Sequence, residues 1–470
     1  MKRRDFLHRF ALGLAAPGLL AATPAIQQKK GQHGMRAGFA RVSITPPVGT
    51  TMMGFGTRDM DHGCEGVHDD IYVRALFVEQ GAEQALIMAF DLCFLGREEA
   101  DRFKGAIGRT MDLLPRQILM NTSHNHVGPA VGTWYSAGYT CPDRAYLDAL
   151  ERATVRAAHE ARAAVRDATL WAGVTTSALP MNRRRRNEHG EIENRPNPGG
   201  QVYDKLPVCL IRDGAGRPLC LLFSVSAHSS MMTGFQISAE YPGAAMHALD
   251  TQLGATVSLF LQGVGGDAKP AVIGRGVDRW QPGTWALMEE AGQMVAQEVA
   301  QTLDNGLAPV TPDLCCASEE MVWRLEAPPT RAELEAVIEG APSEERSRSV
   351  RCMWAARLIE RLEKGNALPD SVTLTLHGIK LGDGLRVVGI EGEAVAGWGY
   401  IIEGFFDGGV TFPLGYTDGT GLYLPTSMML PEGGYEVVSY WEYGYPAPLA
   451  RGMEGTVLAA LERLRARGIT

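Results

Sequence analysis

Short apolar runs alternate with longer amphipathic stretches along this chain, and that alternation constrains its fold more than any other feature. The runs at 85–90, 117–121, 169–174, 206–211, 218–225, 257–261, 385–390 and 410–414 have the length and composition of strands, although a run this short also fits a buried helix segment. Between them, 143–167, 242–253, 283–303 and 394–406 carry apolar residues at helical spacing. The stretches 330–339 and 343–363, joined at Gly340-Ala341-Pro342, read as a charged helical hairpin. That hairpin is either an inserted subdomain or lid near 330–364, or a plain solvent-facing hairpin. The expected fold is α/β, or mixed α+β, with central mixed sheets flanked by helices. Gly-, Pro- and Asn-rich loops at 46–68 and 187–203 are long for connectors, and such loops are often functional.

Polar residues cluster just past the ends of these runs. Asp91 comes after 85–90, His124 and His126 after 117–121, and His228 after 218–225. Asp267 comes after 257–261 through a Gly-rich turn, and Glu391 and Glu393 come after 385–390. Ligands of open α/β sheets bind outside the carboxyl ends of the strands, so these side chains could meet in one cleft. If 117–121 is a strand that continues through the motif, alternation puts His124 and His126 on one face. Each residue taken singly also fits a cap or turn. His124, His228 and a carboxylate such as Glu393 would form a two-nitrogen, one-oxygen set suited to catalytic zinc with a position open for water. Iron or manganese would accept the same donors, whereas calcium or magnesium would want mainly oxygen. The loop through Gly265, Gly266, Asp267 and Lys269 lacks the spacing of a phosphate or dinucleotide fingerprint. It reads as an oxyanion-binding turn or as a tight structural turn.

Composition narrows the class. The net charge is −9 with one short basic cluster, Arg183–Arg186, which argues against a nucleic-acid partner. Eight cysteines include no CxxC pair, so a thiolate zinc site is not expected. Lys2-Arg3-Arg4-Asp5-Phe6-Leu7 precedes a mildly apolar run from Phe10 to Ala22. This looks like a twin-arginine export signal, the alternatives being an ordinary secretory signal or a retained anchor, and the first reading puts the mature protein in the periplasm or outside the cell. The run is too short and too weakly apolar for a stable membrane span. Residues 1–34 are therefore set aside as signal peptide and linker, and 35–470 is taken as one domain. Trp134, Tyr135 and Tyr139, after the histidine pair, fit either an apolar mouth or the core.

Several motifs, in order, resemble the neutral (non-lysosomal) ceramidase family over almost the whole mature chain. They are Asn121-Thr-Ser-His-Asn-His-Val-Gly-Pro129, Met181-Asn-Arg-Arg184, Ala227-His-Ser229, Gly266-Asp267, Gly392-Glu393, Gly421-Leu-Tyr423-Leu-Pro-Thr426 and Gly434-Tyr-Glu436. The resemblance implies a zinc-dependent amidohydrolase whose metal is held by His124, His228, Glu393 and Tyr423. It implies that His126 handles protons or orients the substrate beside the metal. Arg183 and Tyr435 would polarise the scissile carbonyl or stabilise the oxyanion, and Asp267 would belong to the catalytic group. Two departures bear on the substrate. Lys269 stands where the family has serine, and no C-terminal immunoglobulin-like domain is recognisable. Lys269 would bind an acidic or polyhydroxylated substrate, or pair with Asp267. The expected function is hydrolysis of a ceramide-like N-acyl amide, on a lipid-like or small-molecule substrate. The alternatives are a metal-dependent esterase, phosphoesterase or sugar-processing hydrolase, or an inactive periplasmic binding protein. Oligomeric state is not readable.

Overall fold

Strands buried on both faces explain why the apolar runs are nearly continuous. In Tyr72–Gln80, Val73, Ala75 and Phe77 point into one core while Leu76 and Val78 point into another. In Glu83–Phe90, Leu86, Met88 and Phe90 share the first core, and Ala85, Ile87 and Ala89 share the second. Period-two alternation thus divides each strand between two apolar layers. The computed structural model describes residues 34–56, 58, 59, 62–132, 142–342 and 349–470. The segment read as an export signal, the Trp134–Tyr139 aromatics and the start of the expected 343–363 helix lie outside those residues.

The larger sheet runs in the order Ser258–Gln262, Pro218–Val225, Lys205–Asp213, Arg166–Thr176, Arg36–Ser43, Tyr72–Gln80, Glu83–Phe90, Ile118–Thr122, with Ala308–Val310 also on Arg166–Thr176. The outermost pair at each edge is parallel and the pairs between are antiparallel. A second sheet runs Pro312–Arg324, Ser371–Gly382, Leu385–Ile390, Val410–Leu414, its last pair parallel. Residues of both sheets share one core, including Ile87, Leu222, Ile379, Val387 and Phe412. Helices Arg97–Met111, Arg144–Ala163, Glu240–Leu253 and Trp285–Asn305 pack on the outer face of the larger sheet. Ala396–Phe405 and Met453–Ala466 pack on the outer face of the smaller one. The layers are helix, sheet, sheet, helix, which is the mixed α+β arrangement expected from the sequence.

Some boundaries move for local reasons. The helix expected over 143–167 ends at Ala163, because Arg166 already belongs to a strand; Asp143 caps its start by accepting from Ala145 N and Tyr146 N. The hairpin is present as Arg331–Glu339 and Val350–Glu363, the first helix opened by a capping box between Thr330 and Glu333. It does not stand alone in solvent. Leu334, Trp354, Ala355 and Leu358 pack against Tyr440 and Trp441, and Trp354 Nε1 donates to Tyr445 O at 2.9 Å. Among the described residues no helix is long and apolar enough to cross a membrane.

Candidate metal centre

One asparagine draws the strand ends together. Asn121, fully buried near the end of Ile118–Thr122, accepts from Gln262 N at 2.7 Å and donates to Gly415 O at 2.8 Å. Its backbone bridges Thr417. The two edges of the larger sheet and the exit of the smaller one therefore meet at a single side-chain amide. The chain then turns away. The strand stops at Thr122 and His124 takes φ +58, a left-handed conformation that costs about 1–3 kcal/mol for a non-glycine residue and persists only where its surroundings enforce it. Ser123 N to Phe90 O (2.9 Å), Asn125 N to Leu92 O (3.1 Å) and His126 N to Ser229 O (2.9 Å) enforce it here. The expectation that strand alternation aligns the two histidines is thus corrected. A strained turn, not a strand, sets the rings perpendicular at 89° with Nε2 atoms 3.0 Å apart.

Four side chains converge at this point. Glu393 Oε2 lies 3.1 Å from His124 Nε2 and 3.4 Å from His228 Nε2, and His228 Nε2 lies 3.1 Å from Tyr423 Oη. All four residues are buried. Four donors about 2.0–2.1 Å from one zinc would stand roughly 3.3 Å apart in a tetrahedron, so the spacing fits. The far sides of the rings agree. His228 Nδ1 faces Gly265 O at 2.7 Å and His124 Nδ1 faces Cys93 O at 3.1 Å. A carbonyl only accepts, so each Nδ1 carries the proton and each Nε2 presents its lone pair inward, the arrangement a metal-binding histidine needs. Burial, then Arg183, pushes His228 down to about 3, which keeps the ring neutral at pH 7. Burial pushes the Glu393 carboxyl up, and positive charge on the His124 and His228 side of the group, whether a proton or a bound cation, holds it well below the usual carboxylate range. Glu393 Oε2 nevertheless accepts no well-formed hydrogen bond. An ionised, buried oxygen without a donor, facing two imidazole lone pairs, is what a cation would satisfy. His124, His228 and Glu393 form a group able to hold a metal ion. Gly392, at φ +121, permits the approach, since a Cβ there would stand 2.8 Å from Leu424 Cγ.

The other expected site residues surround this group. His126 is held neutral, well below its ordinary value, by burial and then by His124 and His228, and its Nδ1 is buried without a partner. Arg183 places Nη1 3.3 Å from His228 Nε2 and donates from Nε to Glu436 at 2.7 Å, while its Nη2 is buried without an acceptor. Tyr435 is at the rim, 38% exposed, its hydroxyl donating to Glu442 at 2.8 Å and its ring 5.6 Å from the Arg183 guanidinium. Asp267 Oδ1 accepts from Ala396 N at 2.8 Å, at the start of a helix, its Oδ2 accepts from Asn182 Nδ2 at 3.4 Å, and its carbonyl accepts from Arg183 N at 2.9 Å. Gly265 and Gly266 donate their N–H groups to Gly263 O and Ala394 O. That loop therefore meets the centre through the Gly265 carbonyl. Lys269 does not pair with Asp267; its ammonium lies over the Trp280 ring at 5.5 Å.

Two strand-end carboxylates stay outside. Asp91 pairs with Arg74 at 2.7 Å, and Glu391 pairs with Arg97. Conversely, three residues at the centre escape a reading of the sequence. Tyr443 donates to Glu393 Oε1 at 2.5 Å, Glu436 ties Arg183 and Arg184 together, and the Tyr416 ring lies 4.4 Å from that of His124. Glu436 closes the Gly434-Tyr-Glu436 motif, so its position is visible in the sequence although its partners are not. Tyr443 and Tyr416 carry no such signal.

No protein-family profile and no curated sequence relative matches the chain. Solved structures do. The crystal structure of neutral ceramidase from Pseudomonas aeruginosa superposes with TM-score 0.69 at 14% identity, over 93% of this chain and 74% of that one. A ceramidase complexed with C2 gives TM-score 0.68 at 14% identity, over 92% and 76%. At this identity the likeness establishes a shared fold.

Proposed function

We propose that the chain is an exported, zinc-dependent amidohydrolase that cleaves a ceramide-like N-acyl amide bond. The observation that carries the reading is the Glu393 oxygen without a hydrogen-bond donor, facing His124 and His228 with Tyr423 alongside. The fold shared with ceramidases supports amide rather than phosphate ester chemistry. Zinc held there would supply Lewis acidity and lower the pKa of water to roughly 7.

The chain's own residues supply the rest. Arg183 has its Nη2 amino group without an acceptor, and Glu436 fixes its plane, so it can meet the carbonyl oxygen as negative charge develops. His126, kept neutral by burial and with its Nδ1 unpartnered, can take up a proton beside the centre and return it to the leaving nitrogen. Tyr435 at the rim is the second group assigned to the oxyanion. Twin-arginine export would deliver the folded protein to the periplasm or beyond, where a lipid-like or small-molecule amide is its substrate.

Metal analysis of purified protein, combined with an N-acyl amide, ester and phosphate-ester panel, tests this. Wild type should carry stoichiometric zinc and hydrolyse the amide, and His228→Ala should lose both. Tyr435→Phe should keep zinc while turnover falls by about 100-fold, the usual cost of one oxyanion donor. Stoichiometric zinc in His228→Ala would overturn the ligand assignment.

A further inference from the structure

His124 belongs to two groups of metal-binding side chains, and the proposed reaction uses only one of them. Cys93 Sγ, a ring nitrogen of His124 and a ring nitrogen of His126 all lie within 4.8 Å of one another. Within that span the two histidine Nε2 atoms are 3.0 Å apart, and Cys93 Sγ is 3.9 Å from His124 Nδ1. Three donors about 2.0–2.3 Å from one ion in a trigonal plane stand roughly 3.5–3.7 Å apart, so side-chain torsions suffice to close the group on a cation. A cysteine as buried as Cys93 ordinarily just fills space. Two observations argue for more here. His126 is 9% exposed, and its Nδ1 is buried without a partner, which leaves it a ring nitrogen available to a cation. The Cys93 carbonyl, not its thiol, holds the neighbouring turn: it accepts from Thr122 Oγ1 at 3.3 Å and from His124 Nδ1 at 3.1 Å.

Donor softness identifies the ion. Thiolate sulfur selects copper(I) or zinc over hard cations. Zinc takes four donors and finds them at His124, His228, Glu393 and Tyr423, with neighbouring donor atoms 3.1–3.4 Å apart. Two imidazoles and one thiolate are instead the donor set of trigonal copper sites. The surroundings agree, being sulfur and aromatic carbon rather than oxygen. Met53 shares a small apolar cluster with Cys93, and the Phe55 and Phe94 rings lie 4.8 Å from those of His126 and His124. We propose that Cys93, His124 and His126 form a copper(I) site, and that copper(I) bound there excludes zinc from the neighbouring group. A neutral imidazole has one lone pair, so His124 serves one ion at a time. The copper site stands apart from the hydrolase reading, whereas the exclusion of zinc rests on it. On binding, the Cys93 S–H bond breaks, a Cu–S bond forms and the proton leaves to solvent, with no change of oxidation state. Copper(I) would thereby take both the shared ligand His124 and the proton-handling His126 out of the reaction.

The test measures copper(I), kept reduced with ascorbate and buffered by the chromophoric chelator bicinchoninate, against metal-free wild type, Cys93→Ala, Cys93→Ser and Glu393→Gln. Copper(I) held by the other cysteines is common to all four proteins, so their differences isolate the site. Both Cys93 variants keep the backbone carbonyl that His124 uses, and thermal midpoints identify any variant that fails to fold. Cys93→Ala and Cys93→Ser should bind the tightest copper(I) at least about 100-fold more weakly than wild type, beyond the loss caused by removing a residue that only orients a ligand, while zinc affinity stays within about threefold. Glu393→Gln should do the reverse, losing zinc and keeping copper(I). Copper(I) should also release zinc from the zinc-loaded wild type but not from the Cys93 variants. Copper(I) affinity within about twofold of wild type in both Cys93 variants would overturn the proposal, as would zinc retained in full by wild type at copper(I) saturation. If wild type takes up no zinc, the hydrolase reading fails, and the copper(I) competition on metal-free protein still decides the site.

Discussion

Tyr443→Phe removes a single oxygen, and the structure says what that oxygen does. Its hydroxyl donates to Glu393 Oε1 at 2.5 Å, with both side chains buried. Burial keeps solvent from taking over the bond, so an ionised carboxylate oxygen is left bare. A hydrogen bond to a charged group contributes about 1.5–3 kcal/mol. Part of that falls on folding and part on metal affinity, because an unrestrained carboxylate must also be ordered when it binds. Losing a partner that orients a metal ligand typically weakens binding by about 10–100-fold. The ring itself is retained, along with its contact to Tyr423 at 6.1 Å, so packing is nearly unchanged. Competition with a chromophoric chelator should therefore show zinc affinity lowered by about 10-fold or more. Urea unfolding of metal-free protein should show a loss near 1–2 kcal/mol. Zinc affinity within about twofold of wild type would refute the reasoning, since it would mean that Glu393 Oε1 is not part of how the metal group is held.

Two further perturbations probe the charges behind the centre. Asp418 is buried between Lys104 Nζ (2.7 Å) and His377 Nδ1 (2.5 Å), and these two outweigh burial to hold it below the carboxylate range. Lys104→Met should cost about 3 kcal/mol or more by stranding that charge, with much of the loss recovered in the Lys104→Met/Asp418→Asn double variant; a denaturant midpoint unchanged in the single variant would contradict this. Burial raises the Glu240 carboxyl from 4.5 to about 7, so the folded state binds the extra proton between those values and stability is present below pH 4.5 and lost as pH rises through 7. Glu240→Gln should abolish that loss, gaining roughly 3 kcal/mol relative to wild type between pH 4.5 and 8; parallel pH dependences in urea unfolding would contradict it.

The layers of this fold were readable because burial on two faces writes itself as apolar runs, and those runs are local. Strands that mix charge into the pattern were not. Tyr72–Gln80 contains Arg74, and Pro180–Arg186 is mostly arginine; both pair in sheets because their charges find partners distant in sequence, Asp91 and Glu436 among them. The candidate centre divides the same way. Its histidines and Glu393 stand at strand ends and so left a trace, but the turn that aims His124 depends on backbone hydrogen bonds to other segments. Tyr443 is the limiting case. It lies 50 residues beyond Glu393, in a short helical segment, and the Arg331–Glu339 and Val350–Glu363 hairpin packs on its neighbours Tyr440 and Trp441. A tyrosine becomes a carboxylate's donor only once such packing fixes its ring. Packed there, the hairpin braces the segment that orients Glu393, and mutations in it should reach the metal through Tyr443.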